Sequence, residues 1–345
     1  MKKKPALVFE FWLAMKIART MLFIKATTFK KLTEDPYKWA CGMLMRIYND
    51  NRMMLGNFKH RMRITKGFVN LIWKNKINPD FIIGTSTSGI APATAVAKAL
   101  SKELLIHQKD EYYAYEIELC DKEIVSILND QEFDVVITNV ASIPYGIQYA
   151  NKFRKPFAYV RNETKDHGKK MLIEGIVKPG MKFIFLYSSE ENEDSRNSIS
   201  ILKNEFRLQL SGSYFTGYMH RKMDSYQLVG LKAVVIEDLF STGGSSAFEV
   251  YKARQAGMIC NYCFSIFSYG FDCLKKQFSG EINISNKEVR LAEVCEIDSL
   301  LPFWVLNGEI QRLHFYPHKT IKAMIDEING FDKRYKSFLA EKEMS

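Results

Sequence analysis

The sequence predicts an α/β fold built on a parallel β-sheet, and three observations support that class. Short apolar runs bounded by turn residues recur along the chain, as at 81 to 84, 134 to 138 and 231 to 236. Stretches with helical spacing separate several of these runs, an alternation typical of parallel strands covered by helices. The 345 residues, 47% of them hydrophobic, provide a sizeable core for such a fold.

The N-terminal part predicts two helices with a strand-like segment between them. Residues 6 to 32 have helical spacing, which Thr33-Glu-Asp-Pro-Tyr37 interrupts. Residues 37 to 52 mix aromatic and β-branched side chains, as strands do. Helical spacing returns from 58 to 76 and stops at Asn78-Pro79-Asp80.

From residue 81 onward, strands and helices alternate. The predicted strands are 81–84, 104–107, 134–138, 156–161, 182–187, 231–236 and 262–267. The predicted helices are 93–100, 121–128, 146–153 and 246–256, with a last one within 320–342. Residues 188–197 are polar and predict a loop, and the alternation over 199–218 predicts a small hairpin. We expect this stretch to be a decoration that the chemistry does not need.

Two pairs of segments along the chain resemble each other. Asp80-Phe-Ile-Ile-Gly-Thr, with the turn, helix and strand that follow it, is similar to Asp134-Val-Val-Ile-Thr-Asn and its continuation. Gly180-Met-Lys-Phe-Ile is likewise similar to Gly230-Leu-Lys-Ala-Val. Either a duplication or the general repetition of strand-turn-helix units in a doubly wound sheet explains both pairs.

The composition limits the classes of partner. Lys and Arg exceed Asp and Glu by 49 − 39 = 10, but these charges are spread along the chain, so we expect no nucleic-acid partner. Six cysteines do not make a disulfide scaffold in so long a chain, which indicates a reduced, cytoplasmic protein. No stretch approaches the roughly 18 apolar residues of a membrane-spanning helix, so we expect no membrane partner.

The run from Val234 to Ser246 carries the clearest chemical signal. A buried strand delivers Glu237 and Asp238 to its carboxyl end, and a Ser/Thr/Gly turn then opens a helix. Glycine lets backbone N–H groups approach a phosphate, and a helix N-terminus favours negative charge. Carboxylates beside that phosphate would repel it unless they hold another group, and vicinal ribose hydroxyls donate hydrogen bonds to carboxylates. The run therefore predicts a site for a phosphoribosyl group.

This run resembles the signature with which phosphoribosyltransferases bind 5-phosphoribosyl 1-diphosphate (PRPP). A second run, from Arg161 through Lys165-Asp166-His167-Gly168 to Ile173-Glu174-Gly175, is similar to the mobile catalytic loop of orotate phosphoribosyltransferases, members of the type I phosphoribosyltransferase family. The resemblance implies that Lys165, Asp166 and His167 are catalytic. The implied PRPP-binding residues are Arg161, Lys165, His167, Glu237, Asp238, Leu239, Phe240, Ser241, Thr242, Gly243, Gly244 and Ser245.

The orotate pocket has a less complete match. Residues 37–42 and 47–52 are similar to the family segment that shapes this pocket, which implies Tyr48 and Ser241 as the orotate-binding residues. Tyr48 would stack on the pyrimidine, although it also fits as an ordinary strand aromatic. Leu44-Met45-Arg46 replaces the Lys-Ser-Pro common in the family, which leaves base specificity open.

Two turns compete for the diphosphate. Thr85-Ser-Thr-Ser88-Gly89-Ile90 has the composition of the family's diphosphate loop, with Ser88 and Gly89 as the contacts, whereas Asn139-Val-Ala-Ser142-Ile143-Pro144 lies closer along the chain to the mobile loop. We favour the first turn because its glycine lets backbone amides face an anion.

As a whole, the resemblance implies a Rossmann-like phosphoribosyltransferase fold with a mobile catalytic loop. The implied parts are a small N-terminal base-binding subdomain over 1–76, a core over 77–280 with insertions near 106–133 and 188–229, and a C-terminal helical tail over 281–345. The implied reaction transfers the phosphoribosyl group of PRPP to orotate, giving orotidine 5′-monophosphate and diphosphate in pyrimidine biosynthesis.

The same resemblance implies Mg²⁺ as the cofactor, bound through PRPP and not directly by protein side chains. It also implies a homodimer in which the mobile loop is shared between subunits. A phosphoribosyltransferase for another nucleobase and a non-catalytic PRPP-sensing regulator stay open as alternatives.

Overall fold

The structure is a computed structural model of the chain that describes residues 5–117, 120–161, 172–188, 193–217, 220–285, 287–313 and 316–343. The predicted catalytic residues Lys165, Asp166 and His167 lie outside these described residues.

Twelve helices and sixteen strands follow one another in the described ranges, together with two short 3₁₀ turns at Asn51–Gly56 and Val140–Ser142. The helices are α1 (Pro5–Phe23), α2 (Phe58–Lys74), α3 (Ile90–Leu100), α4 (Lys122–Asn129), α5 (Ile143–Lys152), α6 (Glu193–Asn204), α7 (Ser225–Leu228), α8 (Gly244–Gln255), α9 (Asp272–Phe278), α10 (Phe303–Leu313), α11 (His318–Asn329) and α12 (Phe331–Glu343). The strands are β1 (Thr27–Phe29), β2 (Tyr37–Lys38), β3 (Leu44–Met45), β4 (Ile47–Asn49), β5 (Phe81–Gly84), β6 (Glu103–Gln108), β7 (Glu111–Tyr115), β8 (Val135–Asn139), β9 (Phe157–Val160), β10 (Ile173–Gly175), β11 (Lys182–Tyr187), β12 (Gln209–Phe215), β13 (His220–Met223), β14 (Lys232–Phe240), β15 (Ile259–Ser268) and β16 (Glu296–Pro302).

Two larger sheets organise the chain. The first has seven strands in the order β13-β7-β6-β5-β14-β15-β16, and the second has five in the order β10-β9-β8-β11-β12. Neighbours are parallel from β6 to β16 in the first sheet and from β9 to β12 in the second, while β7, β13 and β10 are antiparallel to their neighbours. The predicted α/β class with a parallel-dominated sheet is confirmed.

The predicted hairpin over 199–218 is wrong. Helix α6 covers the first part of this stretch, and β12 then runs parallel to β11 at the edge of the second sheet. The alternation of polar and apolar residues identified a strand, but it contains no information about the partner or the direction of pairing. The stretch thus supplies a helix and an ordinary edge strand, and the expectation that the chemistry does not need it stays a prediction.

The terminal parts also differ from the predicted pattern. Helix α1 ends at Phe23, earlier than predicted, because Thr27–Phe29 pairs with β4 as an antiparallel strand. In the C-terminal part, β16 precedes the predicted helices and pairs in parallel with β15. Its half-exposed burial pattern is that of an edge strand, which a search for long apolar runs misses.

One face of each sheet contributes to a shared core. Ile82 and Ile236 of the first sheet, and Val136 and Ile184 of the second, belong to one continuous cluster of buried side chains. Helices α3 and α5 pack against each other within this cluster. The opposite faces of the two sheets have cores of their own. No helix in the described residues is both long and apolar enough to cross a membrane.

Candidate functional site

The site begins where two neighbouring parallel strands of the first sheet end. In the register of β14 and β5, Ile236 lies opposite Gly84. Glu237 and Asp238 therefore follow the pairing on one strand, and the turn that starts at Thr85 follows it on the other. The carboxyl ends of parallel strands meet at one edge of a sheet, so the register brings the acidic pair beside this turn.

A cleft of about 770 Å³ opens at that edge. Its lining includes the turn Thr85–Ser88, the acidic pair, the Ser241–Ser246 loop and two cations, Arg161 and Lys287. A smaller cavity of about 140 Å³ adjoins it. The residues that line both are Ala40, Ser88, Asp238, Leu239 and Ser241.

Most of the predicted site residues that the structure describes come together here. The predicted residues that line the cleft are Arg161, Glu237, Asp238, Leu239, Ser241, Thr242, Gly243, Gly244, Ser245 and Ser88. Tyr48 lines the smaller cavity. Phe240 lies beside the cleft without lining it, because its ring is buried against Phe278. Gly89 likewise lies behind the turn, where a Cβ atom would be 2.3 Å from Thr85 Oγ1.

The choice between the two candidate diphosphate turns follows from the sheets. Thr85 to Ser88 line the cleft, whereas the turn at 139–144 follows β8 in the second sheet. There the Ser142 and Ser188 hydroxyls lie 3.0 Å apart, and the backbone N–H of Ser188 donates to Ser142 Oγ at 2.9 Å. Both serines are buried. The structure thus brings the favoured turn to the acidic pair and the other turn to a different edge.

The Ser241–Ser246 loop has the left-handed backbone turn that its glycines predict. Gly243 adopts a φ of +84°, and a Cβ atom there would lie 2.4 Å from Leu274 Cδ1. Helix α8 begins at the next residue, so its free N–H groups and the positive end of its dipole point to the cleft side of the loop. These features suit an anion.

The loop rests on a side chain that the sequence analysis missed. Gln277 of α9 is fully buried, donates to the backbone carbonyl of Thr242, and also donates to Ser285 Oγ at 2.8 Å. Ser285 N donates back to Gln277 Oε1 at 2.9 Å. Gln277 has no motif around it, so only the fold reveals this role.

The two acidic residues are in different environments. Glu237 is buried, and its carboxylate accepts hydrogen bonds from Asp238 N at 2.8 Å and from Ser246 Oγ at 2.9 Å. Burial, followed by the nearby charge of Asp238, raises the pKa of Glu237 well above its usual value. Asp238 is only partly buried, and its backbone carbonyl accepts from Asn51 Nδ2 at 2.7 Å. The more accessible carboxylate of the pair is therefore that of Asp238.

The raised pKa of Glu237 predicts a pH-dependent gain in stability for Glu237→Gln. A carboxyl whose pKa is raised by folding stabilises the fold below its ordinary pKa of about 4.3, and that contribution is lost as the pH rises through the folded value. We expect the variant to unfold roughly 2–4 °C above the wild type at pH 8, with the difference shrinking at pH 5. Thermal melts at both values test this, with Glu205→Gln at an exposed position as the control. A variant less stable than the wild type at pH 8 would contradict it.

The smaller cavity contains a buried arginine. Arg52 Nε lies 2.8 Å from Asp50 Oδ1, its Nη1 is paired with Glu174, and its Nη2 donates to Tyr48 Oη at 3.4 Å. Arg52 and the aromatic residues Trp39 and Tyr269 line the cavity with Tyr48. Arg52 lies in the predicted pocket segment 47–52, but local sequence gives it no role because its partner Glu174 is far away along the chain.

Comparison with known proteins finds relatives named orotate phosphoribosyltransferase. The chain is 29% identical over 298 residues to an orotate phosphoribosyltransferase of Streptococcus agalactiae serotype III, covering 86% of this chain and 90% of that protein. It is 27% identical over 267 residues to one of Streptococcus sanguinis, covering 77% of this chain and 78% of the relative. The chain is a homologue of orotate phosphoribosyltransferases. No family model matches the chain.

Among solved structures, an orotate phosphoribosyltransferase from Aeropyrum pernix aligns with a TM-score of 0.38 and 15% identity. That alignment covers 87% of this chain and 99% of the Aeropyrum pernix chain.

Proposed function

We propose that the protein is an orotate phosphoribosyltransferase that converts orotate and PRPP to orotidine 5′-monophosphate and diphosphate. One observation supports the proposal most directly. The acidic pair, the glycine loop and the turn at 85–88 line one cleft, and a cavity lined by Tyr48 opens directly beside it. A phosphoribosyl site that adjoins an aromatic cavity matches the two halves of the product.

The cleft offers separate groups to each part of PRPP. The N–H groups of the 242–245 loop and the start of α8 bind the 5′-phosphate, and the Ser241 and Thr242 hydroxyls lie within the same lining. Asp238 accepts hydrogen bonds from the ribose hydroxyls, with Glu237 behind it. This arrangement leaves C1 of the ribose directed to the smaller cavity.

The leaving group needs positive charge. As the bond from C1 to the diphosphate oxygen breaks, the bonding electrons go to the diphosphate, and the orotate nitrogen releases its proton to water and forms its bond to C1. Arg161 and Lys287 line the cleft and neutralise this charge. Lys165, Asp166 and His167 complete the group in our proposal, and their catalytic role stays a prediction.

Magnesium belongs to this proposal as an ion carried by PRPP. Oxygen ligands suit Mg²⁺, and the phosphate and hydroxyl oxygens of PRPP would supply them. Bound there, the ion would offset charge on the leaving diphosphate. The described residues contain no cluster of three His, Cys, Asp or Glu side chains suited to a metal.

We also propose the cytoplasm as the location of the protein.

Arg52 offers Nη2 to the base pocket as a donor for the orotate carboxylate, although Asp50 and Glu174 offset its charge. Its Nη2 faces Tyr48, while its other nitrogens are committed to Asp50 and Glu174. We expect Arg52→Lys to raise the KM for orotate about tenfold, since a hydrogen bond to a charged group contributes about 1.5–3 kcal/mol. The KM for PRPP should change little. Steady-state kinetics test this, with Arg46→Lys as the control in the same segment, and an equal rise in both KM values would contradict it.

Diphosphate release from PRPP with a panel of nucleobases tests the proposed function. Release that depends on orotate, with orotidine 5′-monophosphate as the second product, is the expected result. Release with adenine or another base would establish a different phosphoribosyltransferase. PRPP binding without release for any base would instead favour the non-catalytic sensor.

A further inference from the structure

The two sheets of this chain contain the same structural unit twice. Within the first sheet, the five strands β7-β6-β5-β14-β15 have the same order and the same directions as β10-β9-β8-β11-β12 of the second. In each unit the first central strand, β5 or β8, is followed by a helix and by a parallel neighbour that turns back into an antiparallel strand. The second unit is inserted between β7 and β13 of the first.

Details of the backbone agree between the units. Lys232 N donates to Asp80 Oδ2 at 2.8 Å in the first unit, and Lys182 N donates to Asp134 Oδ2 at 2.8 Å in the second. One residue further along, the pairing of the central strand with its outer neighbour is irregular in both, after Ala233 and after Phe183. General repetition of strand-turn-helix elements does not require such matching irregularities, so the agreement favours duplication.

The matching registers assign equivalent positions. Counting from Lys232 and Lys182, the positions of Glu237 and Asp238 correspond to Tyr187 and Ser188. The second unit thus has no acidic pair there. Ser188 instead bonds to Ser142 of its own turn. These two serines occupy the strand-end edge at which the first unit has its cleft.

The units also differ in the length of one connection, which is short in the first unit and long in the second. In the first unit, β6 and β7 are joined by the two residues Lys109 and Asp110. In the second, the connection between β9 and β10 runs from Arg161 to Leu172. Arg161 N donates to Leu172 O at 2.9 Å, so the connection leaves and rejoins the sheet at one place.

This point on the second sheet, at the end of β9, faces the site of the first unit. Arg161 follows β9 of the second sheet, yet its side chain lines the cleft formed by Glu237, Asp238 and the 241–245 loop of the first. Glu174 of β10 is buried and bonds to Arg52, and it lies 3.4 Å from Arg161 Nη1. The second unit is thereby attached to the wall of the base cavity.

We propose that this chain is an internal pseudo-dimer in which the first unit binds the phosphoribosyl ligand and the second supplies Arg161 to it. The proposal rests on the proposed function for the identity of the ligand. Each chain then has one complete site, and a second chain contributes no residue to it. Sharing within one chain replaces the sharing between subunits that the family resemblance implied.

Mixing two defective chains tests the proposal. Arg161→Ala and Asp238→Asn are each expected to weaken PRPP binding at least about tenfold, because each removes a charged contact. A site formed within one chain predicts that the mixture binds no better than the average of the two variants. Recovery of tight PRPP binding in the mixture, measured by calorimetry after co-refolding or long incubation, would overturn the proposal. Lys178→Ala, at an exposed cation of the same unit, is the control and should bind normally.

A substitute variant and a separate assay for product keep the result interpretable. If Arg161→Ala has a lowered melting temperature, Arg161→Gln replaces it in the mixture. Binding of PRPP does not require orotate, so failure of the proposed function appears as absent product, whereas failure of this inference appears as recovery in the mixture. Wild-type affinity in Arg161→Ala alone would also overturn the inference, since the second unit would then supply nothing.

Discussion

Lys165→Ala is expected to lower turnover by about 10²–10³ while PRPP affinity changes only severalfold. Loss of one charge that stabilises a transition state typically has a rate effect of that size. Lys165 lies between Arg161 and Gly168 in polar sequence, next to Asp166 and His167. Its charge should matter most when the diphosphate starts to leave, and an interaction that strengthens in the transition state raises the rate itself.

Single-turnover rates compared with PRPP dissociation constants separate the two effects. Lys169→Ala, in the same connection but outside the matched motif, is the control and should retain most of its turnover. Equal losses of binding and turnover for Lys165→Ala would refute a transition-state role. The within-chain arrangement further predicts that mixing Lys165→Ala with Asp238→Asn chains restores no activity.

Asp238→Asn is expected to weaken PRPP binding by roughly 10- to 150-fold. A hydrogen bond to a charged group contributes about 1.5–3 kcal/mol, and the neutral amide loses that charge while keeping the shape. Asp238 is the more accessible carboxylate of the pair, since Glu237 is occupied by Ser246 and by the backbone.

The repeat offers a matched control for this substitution. Ser188 occupies the equivalent position of the second unit, so Ser188→Ala should leave PRPP affinity unchanged. Calorimetric titration of both variants gives the comparison. Unchanged affinity in Asp238→Asn would remove this carboxylate from the site, and a large loss in Ser188→Ala would place ligand binding in the wrong unit.

The parts of the site that sequence predicts are those made by neighbouring residues. The acidic pair and the glycine loop after it occupy a strand end and a helix start, and local spacing alone identifies both. The turn at Thr85 likewise follows a predicted strand directly and lines the cleft with the acidic pair, while its contact with diphosphate stays a prediction. Local chemistry and backbone geometry sufficed in each case.

The missed parts depend on contacts between distant residues. Gln277 supports Thr242, and Arg52 pairs with Glu174, across separations that no motif spans. The same reason explains the missed second sheet. Apolar runs identify strands such as β11, but which strand becomes its neighbour is decided by packing of the whole chain.

A crystal structure with orotidine 5′-monophosphate tests the central claim most directly. We expect one ligand per chain, with its 5′-phosphate on the 242–245 loop, its ribose hydroxyls on Asp238 and its base beside Tyr48. Arg161 of the same chain should line that cleft. A nucleotide bound at Ser142 and Ser188, or an Arg161 that reaches the cleft from another chain, would contradict the account.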